Sequence, residues 1–435
     1  MSTAVQENRN TVRPPESSEP EKTVVRHWRT AIIFTVLALV TLLVCAISAA
    51  DDTVVFRLSE TRDTIRLGDV ALGSRVTGWV LAVVAICMAA VAWTAGSKGR
   101  KVPWWCTVVF WAAFVIAMLV WAVSHADSNS LSLPGLLGGS LTLAVPLIFG
   151  SMSGLLCERS GVVNIAIEGQ LLFGAFSAAV AGSVSHNAWV GLLAAMLGAV
   201  LVSLVLAVFS IKYLVNQVIV GVVVNVLVSG LTGFLYSTVL SRSNVGLNAP
   251  DHLPDYAVPV LSKIPVIGPV LFDQSVIVYL MYGVVFLIWY CLTRTRWGLR
   301  TRAVGEHPKA ADTLGVNVSR LRFWNVLVAG AVAGMGGAFF TLVSVSSFNK
   351  DMTAGQGYIA LAALIFGRWR PFGALFAALL FGFATNLQSV LSLLGTTVPS
   401  QFLAMLPYLV TIAAVTGLVG RSRGPAASGV PYVKE

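Results

Sequence analysis

Charged and amide side chains interrupt one apolar stretch of this chain, between Gly154 and Gln170. The sequence predicts a helix that runs into Glu158 and Arg159, breaks at Ser160-Gly161 and resumes after Asn164. An uncompensated charge at the centre of a bilayer costs about 2.5–3.5 kcal/mol on insertion scales. Irregular backbone at that depth is tolerated only where protein or a water-filled cavity covers it. We therefore expect a polar feature inside a membrane protein, with a functional or a topological role.

Further amides lie in apolar segments. Uncharged amides donate and accept hydrogen bonds without fixing a charge, which suits a neutral, polyhydroxylated cargo. The alternative is hydrogen bonding between helices, worth roughly 0.6 kcal/mol per bond, and for each single residue we favour that alternative. Glu168 either contacts cargo or satisfies the broken backbone near Gly161, and the structural role is the favoured one. The predicted substrate path is Asn164, Glu168, Gln170, Asn225, Asn386 and Gln388. No catalytic residue and no metal site are predicted.

Composition places these residues in a membrane. The chain has 435 residues, of which 56% are hydrophobic and 11% charged, and its mean hydropathy is +0.81. A soluble domain has roughly 25% charged residues. The net charge of +10 comes from basic loops between apolar runs, so we attribute it to membrane topology rather than to nucleic acid. The five cysteines have no paired spacing and are expected to pack in or beside the spans.

The predicted fold is an all-α polytopic membrane protein with about twelve transmembrane helices, in the range 10–12. Most apolar runs approach the ~20 residues that cross a bilayer, whereas the run at 356–367 is short and fits a half-helix. We predict four regions: a disordered cytoplasmic tail (1–28), a transmembrane extension of about three helices (29–134), a core (135–420) and a cytoplasmic tail (421–435). The runs lie at 31–50, 78–95, 104–124, 135–156, 167–185, 188–211, 217–239, 275–293, 322–345, 356–367, 371–393 and 402–420.

Loop charges orient the spans. The loops at 96–103, 294–322 and 368–370 are basic, whereas 125–134 and 183–187 contain no Lys or Arg. Counting spans between these loops puts every strongly basic loop on one side, which the positive-inside rule assigns to the cytoplasm. Both termini are then cytoplasmic, and the number of crossings is even.

A short pattern occurs twice. Gly169-Gln170 opens one span and Gly355-Gln356 opens a later run, and each is followed at similar spacing by a second Gly/Ala/Leu-rich segment. The charge pattern makes the first of these run outward and the second inward. We predict an inverted repeat, which transporter folds often contain with the substrate path at the repeat interface.

The longest basic loop, 294–322, contains a predicted short helix. Pro308 fits a first helical turn and Gly315 fits a helix end. Ala310 and Ala311 are small enough to allow a partner to approach closely. Such a helix could transmit movement from a cytosolic partner, and it could equally be an ordinary loop element.

The Ala-Ala-x-x-x-Gly order at 310–315 resembles the coupling loop of ABC importer permeases, with Lys309 at the position where the family has Glu. The segment 297–306, with Trp-Gly-Leu-Arg-Thr-Arg-Ala-Val-Gly-Glu, resembles the same loop in permeases for simple sugars and nucleosides. The segments 158–165 and 357–369 are similar to those permeases as well, and the likeness covers about 135–420. It implies a type II-like permease core in which Glu306, Pro308, Lys309, Ala310, Ala311 and Gly315 contact the ATPase.

The chain contains no Gly-x-x-x-x-Gly-Lys-Ser/Thr phosphate loop, so it is not expected to be an enzyme. The resemblance implies no cofactor in this chain, with ATP and Mg²⁺ on partner ATPase subunits. It also implies a second permease subunit, an extracellular binding lipoprotein and a place in the plasma membrane.

Nucleosides or related sugars are the expected cargo, with alternating access as the mechanism. A branched-chain amino-acid permease and an ion-coupled carrier are the alternatives. Every Asp lies in a loop and only Glu158 and Glu168 border a span, which disfavours the ion-coupled carrier.

Overall fold

The computed structural model describes residues 28–59, 65–100, 102–126, 129–241, 246–395, 401, 405 and 423–434. Fourteen α-helices occur in this part of the chain, and short π-helical turns extend four of them. The helices are α1 (Trp28–Val40), α2 (Ser74–Ser97), α3 (Trp104–Ser124), α4 (Leu133–Arg159), α5 (Ile167–Ser185), α6 (Ala188–Ala207), α7 (Gln217–Leu235), α8 (Ile267–Phe272), α9 (Val276–Arg294), α10 (Arg296–Glu306), α11 (Pro308–Thr313), α12 (Val318–Phe339), α13 (Gln356–Phe366) and α14 (Pro371–Leu393).

Ten helices in the described part are long and apolar enough to cross a membrane, which confirms an all-α polytopic protein. The run at 356–367 forms α13, whose 11 residues span about 16 Å. This is roughly half of the ~30 Å hydrocarbon core. The remaining run, at 402–420, lies outside the described residues except for 405. The expected count of about twelve thus includes one half-length helix and one run that the structure does not describe.

The first three helices form a unit of their own. Alanines at one face of α1 and α2 are buried, and the rings of Phe34 and Phe110 stack with their centroids 3.9 Å apart. The end of α3 packs with β1 (Thr53–Arg57) against Leu136 and Leu391 of the following helices. The extension is therefore joined to the rest of the molecule by an apolar contact at one end.

Two small sheets lie in the connections. In one, β1 pairs antiparallel with β2 (Val70–Gly73) and parallel with β3 (Ser130–Ser132). In the other, β4 (Asp255–Ala257) pairs antiparallel with β5 (Asp273–Ser275). Both β3 and β5 directly precede membrane-length helices, so the sheets fix where α4 and α9 begin.

The core is built around α4 and α12, which pack against each other and against α5, α6, α13 and α14. Glycines allow close approach. A Cβ on Gly337 would lie 2.3 Å from the carbonyl oxygen of Leu171, and one on Gly334 would lie 2.4 Å from that of Ala195. Such backbone-to-backbone contact is typical of helix packing in membranes, where small residues line the interfaces.

The two Gly-Gln helices run in opposite directions. Both α5 and α13 begin beside Glu168. From there α13 follows α4 in the same direction, because Gly150 faces Ala360 and Gly154 faces Leu364. Helix α5 runs the other way. This antiparallel relation is what the predicted inverted repeat requires, and the repeat itself stays a prediction.

Candidate functional site

The predicted break at Ser160-Gly161 is present. Helix α4 ends at Arg159, and Gly161 has φ +91°, in the left-handed region that favours glycine. A Cβ at this position would lie 2.6 Å from Nη2 of Arg322 and 3.1 Å from the carbonyl oxygen of Ala427. Glycine is therefore needed here for its conformation and for space.

After the break, residues 162–166 return into the bundle without forming a helix. The backbone N–H of Val163 donates to Oε1 of Gln217 at 2.7 Å. Asn164 is fully buried, and its Nδ2 donates to Oε1 of Gln170 at 3.0 Å and to Oγ of Ser153 at 3.3 Å. Gln170 in turn donates to Oγ of Ser203 at 2.9 Å. The irregular backbone is thus covered by protein and followed by a closed amide and hydroxyl network.

Glu168 holds the start of α13. Its Oε1 accepts hydrogen bonds from Oγ1 of Thr353 at 2.6 Å and from the backbone N–H of Gly355 at 2.8 Å. Its Oε2 accepts one from the N–H of Gly357 at 2.6 Å. A carboxylate is favourable at a helix N-terminus, where backbone N–H groups lack helical partners. The carboxylate therefore bonds the backbone and side chain at 353–357, and the expectation that it satisfies the broken backbone near Gly161 was wrong.

Asn225 of α7 connects this centre to the surface. Its Oδ1 accepts from the N–H of Gly169 at 2.8 Å, and its Nδ2 donates to the carbonyl oxygen of Ile165 at 2.9 Å and to Oη of Tyr358 at 3.0 Å. Tyr358 is 48% exposed. One turn further along α7, Oγ of Ser229 donates to Oδ1 of Asp351 at 2.6 Å.

We call Asn225, Ser229, Asp351 and Tyr358 the polar strip. It lies at the level where α13 begins, about 16 Å from the end of that helix and so near the middle of a bilayer. The exposed α7 residues around it are apolar, among them Val222 and Val226. Polar groups at this depth face water or protein rather than lipid. The strip therefore marks a surface that is covered by a water path or by another chain.

Two predicted path residues lie elsewhere. Asn386 of α14 is buried against the other end of α4, where its Nδ2 donates to the carbonyl oxygen of Leu136 at 2.7 Å and to Oγ of Ser140 at 3.3 Å. Gln388 is half-buried one half-turn further along α14. Asn164, Glu168, Gln170 and Asn225 thus form one centre, and the two α14 amides do not belong to it.

The coupling-like loop contains two helices, α10 and α11. Glu306 ends α10, His307 interrupts, and Pro308 opens α11 at its first position as expected. Helix α11 ends at Thr313, and Gly315 follows with φ +83°. The predicted start and end of the short helix are confirmed.

The surface of α11 differs from the expectation in one respect. Ala311 is only 2% exposed because it packs inside the chain against Val304 and Val318. It is therefore wrong to treat Ala311 as a contact for a partner. Lys309, Ala310 and Gly315 are exposed, and Leu314 is 84% exposed.

Several buried contacts near this loop were not predicted. Arg159 donates to the carbonyl oxygen of Trp369 through Nε at 3.0 Å and through Nη2 at 2.6 Å. The indole N–H of Trp369 donates to Glu158, so the two charges of the break share one partner. Arg322 is fully buried, although the sequence analysis places it at the end of the basic loop 294–322. Asn317 could have indicated this, because it caps α12 by accepting from the N–H of Arg320 and so places Arg322 inside the helix.

In the part of the chain that the structure describes, ten membrane-length helices and one half-length helix surround a polar centre beside the break after α4, an arrangement that fits a polytopic transport permease. The chain belongs to the family described as branched-chain amino acid transport system / permease component, whose profile matches residues 136–415. It is thus an ABC-type permease and a multi-pass membrane protein. Permeases of this class work with separate ATP-binding and substrate-binding components.

The curated relatives carry names of nucleoside and sugar permeases. The guanosine ABC transporter permease NupQ of Bacillus subtilis is 39% identical over 309 residues, which are 68% of this chain and 95% of the relative. The nucleoside ABC transporter permease NupC of Lactococcus lactis is 38% identical over 303 residues, with the same two shares. The putative glucose permease TsgC13 of Haloferax volcanii is 33% identical over 310 residues, 66% of this chain and 92% of the relative. No solved structure matches this chain.

Proposed function

We propose that this chain is the plasma-membrane permease of an ATP-driven importer of nucleosides. The observation that carries the proposal is the 39% and 38% identity to two permeases named for guanosine and nucleosides, over 95% of the length of each. A simple sugar is the second candidate, since a relative named as a putative glucose permease is 33% identical.

The cargo is proposed to pass along the polar strip. Its hydroxyl and carboxylate groups suit the hydroxyls of a ribose, and the exposed ring of Tyr358 offers an apolar face to a base. Asn225 is the predicted path residue that touches this surface: its side chain is buried, and its Nδ2 holds the hydroxyl of Tyr358. Asn164, Glu168 and Gln170 act from behind it by holding residues 351–358 and 162–166 in place. The buried bonds of Asn386 to α4 favour a packing role for that residue, and Gln388 lies on the same helix, away from the polar strip.

ATP hydrolysis is proposed to take place on separate subunits that dock against α11. Lys309, Ala310, Leu314 and Gly315 provide the exposed docking surface, and Glu306 and Pro308 fix the entry into α11. The exposed Leu314 is suited to an apolar pocket, because a side chain of that size gains about 1.5–3 kcal/mol on full burial. Both termini are proposed to be cytoplasmic, with an extracellular lipoprotein delivering cargo at the opposite face.

A short series of packing contacts connects α11 to the polar centre. Ala311 packs against Val304 of α10, and Gly305 touches the carbonyl oxygen of Arg159 at the end of α4 so closely that a Cβ would lie 2.3 Å from it. Residues 160–163 then connect Arg159 to Asn164. A push on α11 is therefore proposed to shift the broken segment and with it the polar strip, opening the path alternately to each side. A second permease, identical or similar, is proposed to cover the strip.

Uptake by a deletion strain complemented with this chain tests the proposal. Labelled guanosine, uridine, ribose, glucose and leucine would be supplied singly. We expect uptake of the nucleosides, and competition by excess unlabelled nucleoside but not by leucine. Uptake of glucose or ribose alone would assign the sugar alternative, and uptake of leucine alone would assign the branched-chain amino-acid alternative.

A further inference from the structure

Residues 424–434 contact α10 and α11 on one side and the break after α4 on the other. We call these residues the C-terminal strap. The strap follows the part of the chain that the family profile matches, which ends at residue 415. Pro425 and Ala427 of the strap are buried. The strap makes specific contacts on two sides.

On one side the strap binds the break after α4. The N–H of Gly429 donates to the carbonyl oxygen of Gly161 at 3.3 Å. Arg322 joins the two segments, since its Nε donates to the carbonyl oxygen of Ser160 at 3.0 Å and its Nη1 to that of Val430 at 3.0 Å. A buried guanidinium thus takes one backbone partner from the break and one from the strap.

On the other side the strap binds α10 and α11. The N–H of Ala427 donates to the carbonyl oxygen of Gly305 at 2.9 Å, and the N–H of Ala426 donates to Oε2 of Glu306 at 3.2 Å. Tyr432 packs onto the buried cluster of Val304, Ala311 and Val318. Lys434 approaches Asp312 of α11 at 3.9 Å.

We propose that the C-terminal strap is a positioning element that makes α10, α11 and the Ser160–Ala166 segment move as one body. Ala427 is the central residue, because its N–H binds Gly305 while its carbonyl oxygen lies against Gly161. Without the strap, α11 still presents Ala310 and Leu314 to an ATPase. Its displacement then reaches the break through the contact of Gly305 with Arg159 and the bond of Arg322 to Ser160, without the added bonds of Ala427 and Gly429. The inference rests on the proposed ATP-driven transport and adds to it the element that carries the movement.

Truncation and one point variant test the strap in the complete transporter, purified with its partner subunits and reconstituted in liposomes. One variant ends at Arg423, and the other is Ala427→Leu, which adds bulk at a buried position. Val433→Leu is the matched control, because the Val433 side chain is 61% exposed. The measurements are nucleoside imported per ATP hydrolysed, and the stimulation of ATP hydrolysis by cargo-loaded binding protein.

We expect at least a fivefold fall in nucleoside imported per ATP for both strap variants, with the ATPase still bound, and a change of less than twofold for Val433→Leu. A strap that only stabilises the fold would lower the amount of assembled complex and leave the ratio per ATP unchanged, which overturns the proposal. If the truncated chain does not assemble, the ratio for Ala427→Leu decides. A wild-type complex that hydrolyses ATP on addition of binding protein but imports no nucleoside refutes the proposed cargo. In that case the stimulation of hydrolysis still tests the strap.

Discussion

Oε2 of Glu168 accepts a hydrogen bond from the backbone N–H of Gly357 across 189 residues of sequence, and the bond joins the starts of two helices that run in opposite directions. With Thr353 and Gly355 on the other oxygen, the carboxylate organises the loop before α13. That loop carries Asp351, and the helix carries Tyr358, so Glu168 determines the shape of the polar strip without belonging to its surface.

Replacement of Glu168 by Gln is expected to lower both stability and uptake. Gly355 and Gly357 donate to different oxygens of Glu168, and a glutamine amide has one oxygen, so it cannot accept both bonds. Each lost hydrogen bond to a charged group costs about 1.5–3 kcal/mol. We expect a lower unfolding temperature of the purified chain in detergent and at least tenfold slower uptake. Asp69→Asn, the same chemical change at an exposed residue, is the control. Wild-type uptake by Glu168→Gln would contradict this role.

Gly357 and Gly230 offer a matched pair of Gly→Ala substitutions in helices. A Cβ on Gly357 would lie 2.4 Å from the backbone nitrogen of Glu168, whereas one on Gly230 of α7 would meet nothing within 4 Å. We expect Gly357→Ala to destabilise the chain by about 1–3 kcal/mol through overpacking. Gly230→Ala should be neutral or stabilise it by up to about 1 kcal/mol. Equal unfolding temperatures for the two variants would contradict the close contact at Gly357.

Ala310 and Ala311 are adjacent but should respond differently to Trp. Ala310 is exposed, so Ala310→Trp should leave the chain at normal abundance and reduce both uptake and co-purification of the ATPase. Ala311 is 2% exposed, so Ala311→Trp should disrupt the packing with Val304 and Val318 and lower the abundance of the chain itself. Normal uptake and ATPase recovery with Ala310→Trp would show that α11 is an ordinary loop element.

Reporter fusions test the orientation of the termini. Residues 424–434 contact α10, so the C-terminus and the basic loop lie at the same end of the bundle. The positive-inside rule assigns that end to the cytoplasm. We expect alkaline phosphatase to be inactive when fused after Glu435 and active when inserted in the loop at 246–274. Activity at Glu435 would refute the orientation.

The energy source is a separate test. Because the sequence has no phosphate-binding loop, the purified chain alone should hydrolyse no ATP. Uptake by cells should stop on ATP depletion and continue after an ionophore collapses the ion gradients while ATP is maintained. Uptake that follows the ion gradient instead would favour the ion-coupled carrier.

Features that depend on residues close together in the sequence could be predicted from the sequence. Apolar runs of bilayer length predict helices, because each helix satisfies its own backbone bonds wherever it packs. The break at Ser160-Gly161, the start of α11 at Pro308 and its end before Gly315 follow from local backbone preferences in the same way. The half-length of α13 was visible in the short apolar run at 356–367.

Features that depend on distant residues were decided by tertiary structure alone. The sequence offers Glu168 several roles, and only the packing of α5 beside α13 brings its carboxylate to N–H groups 187 and 189 residues away. Arg322 reads as a topological charge until α4 and the strap bring backbone carbonyls to it, the second from 108 residues away. Ala311 is small in either environment, and only the fold of α10 against α12 buries it. Hydrophobic pattern fixes which segments are helices, whereas polar partners depend on which helices become neighbours, and that depends on packing across the whole core.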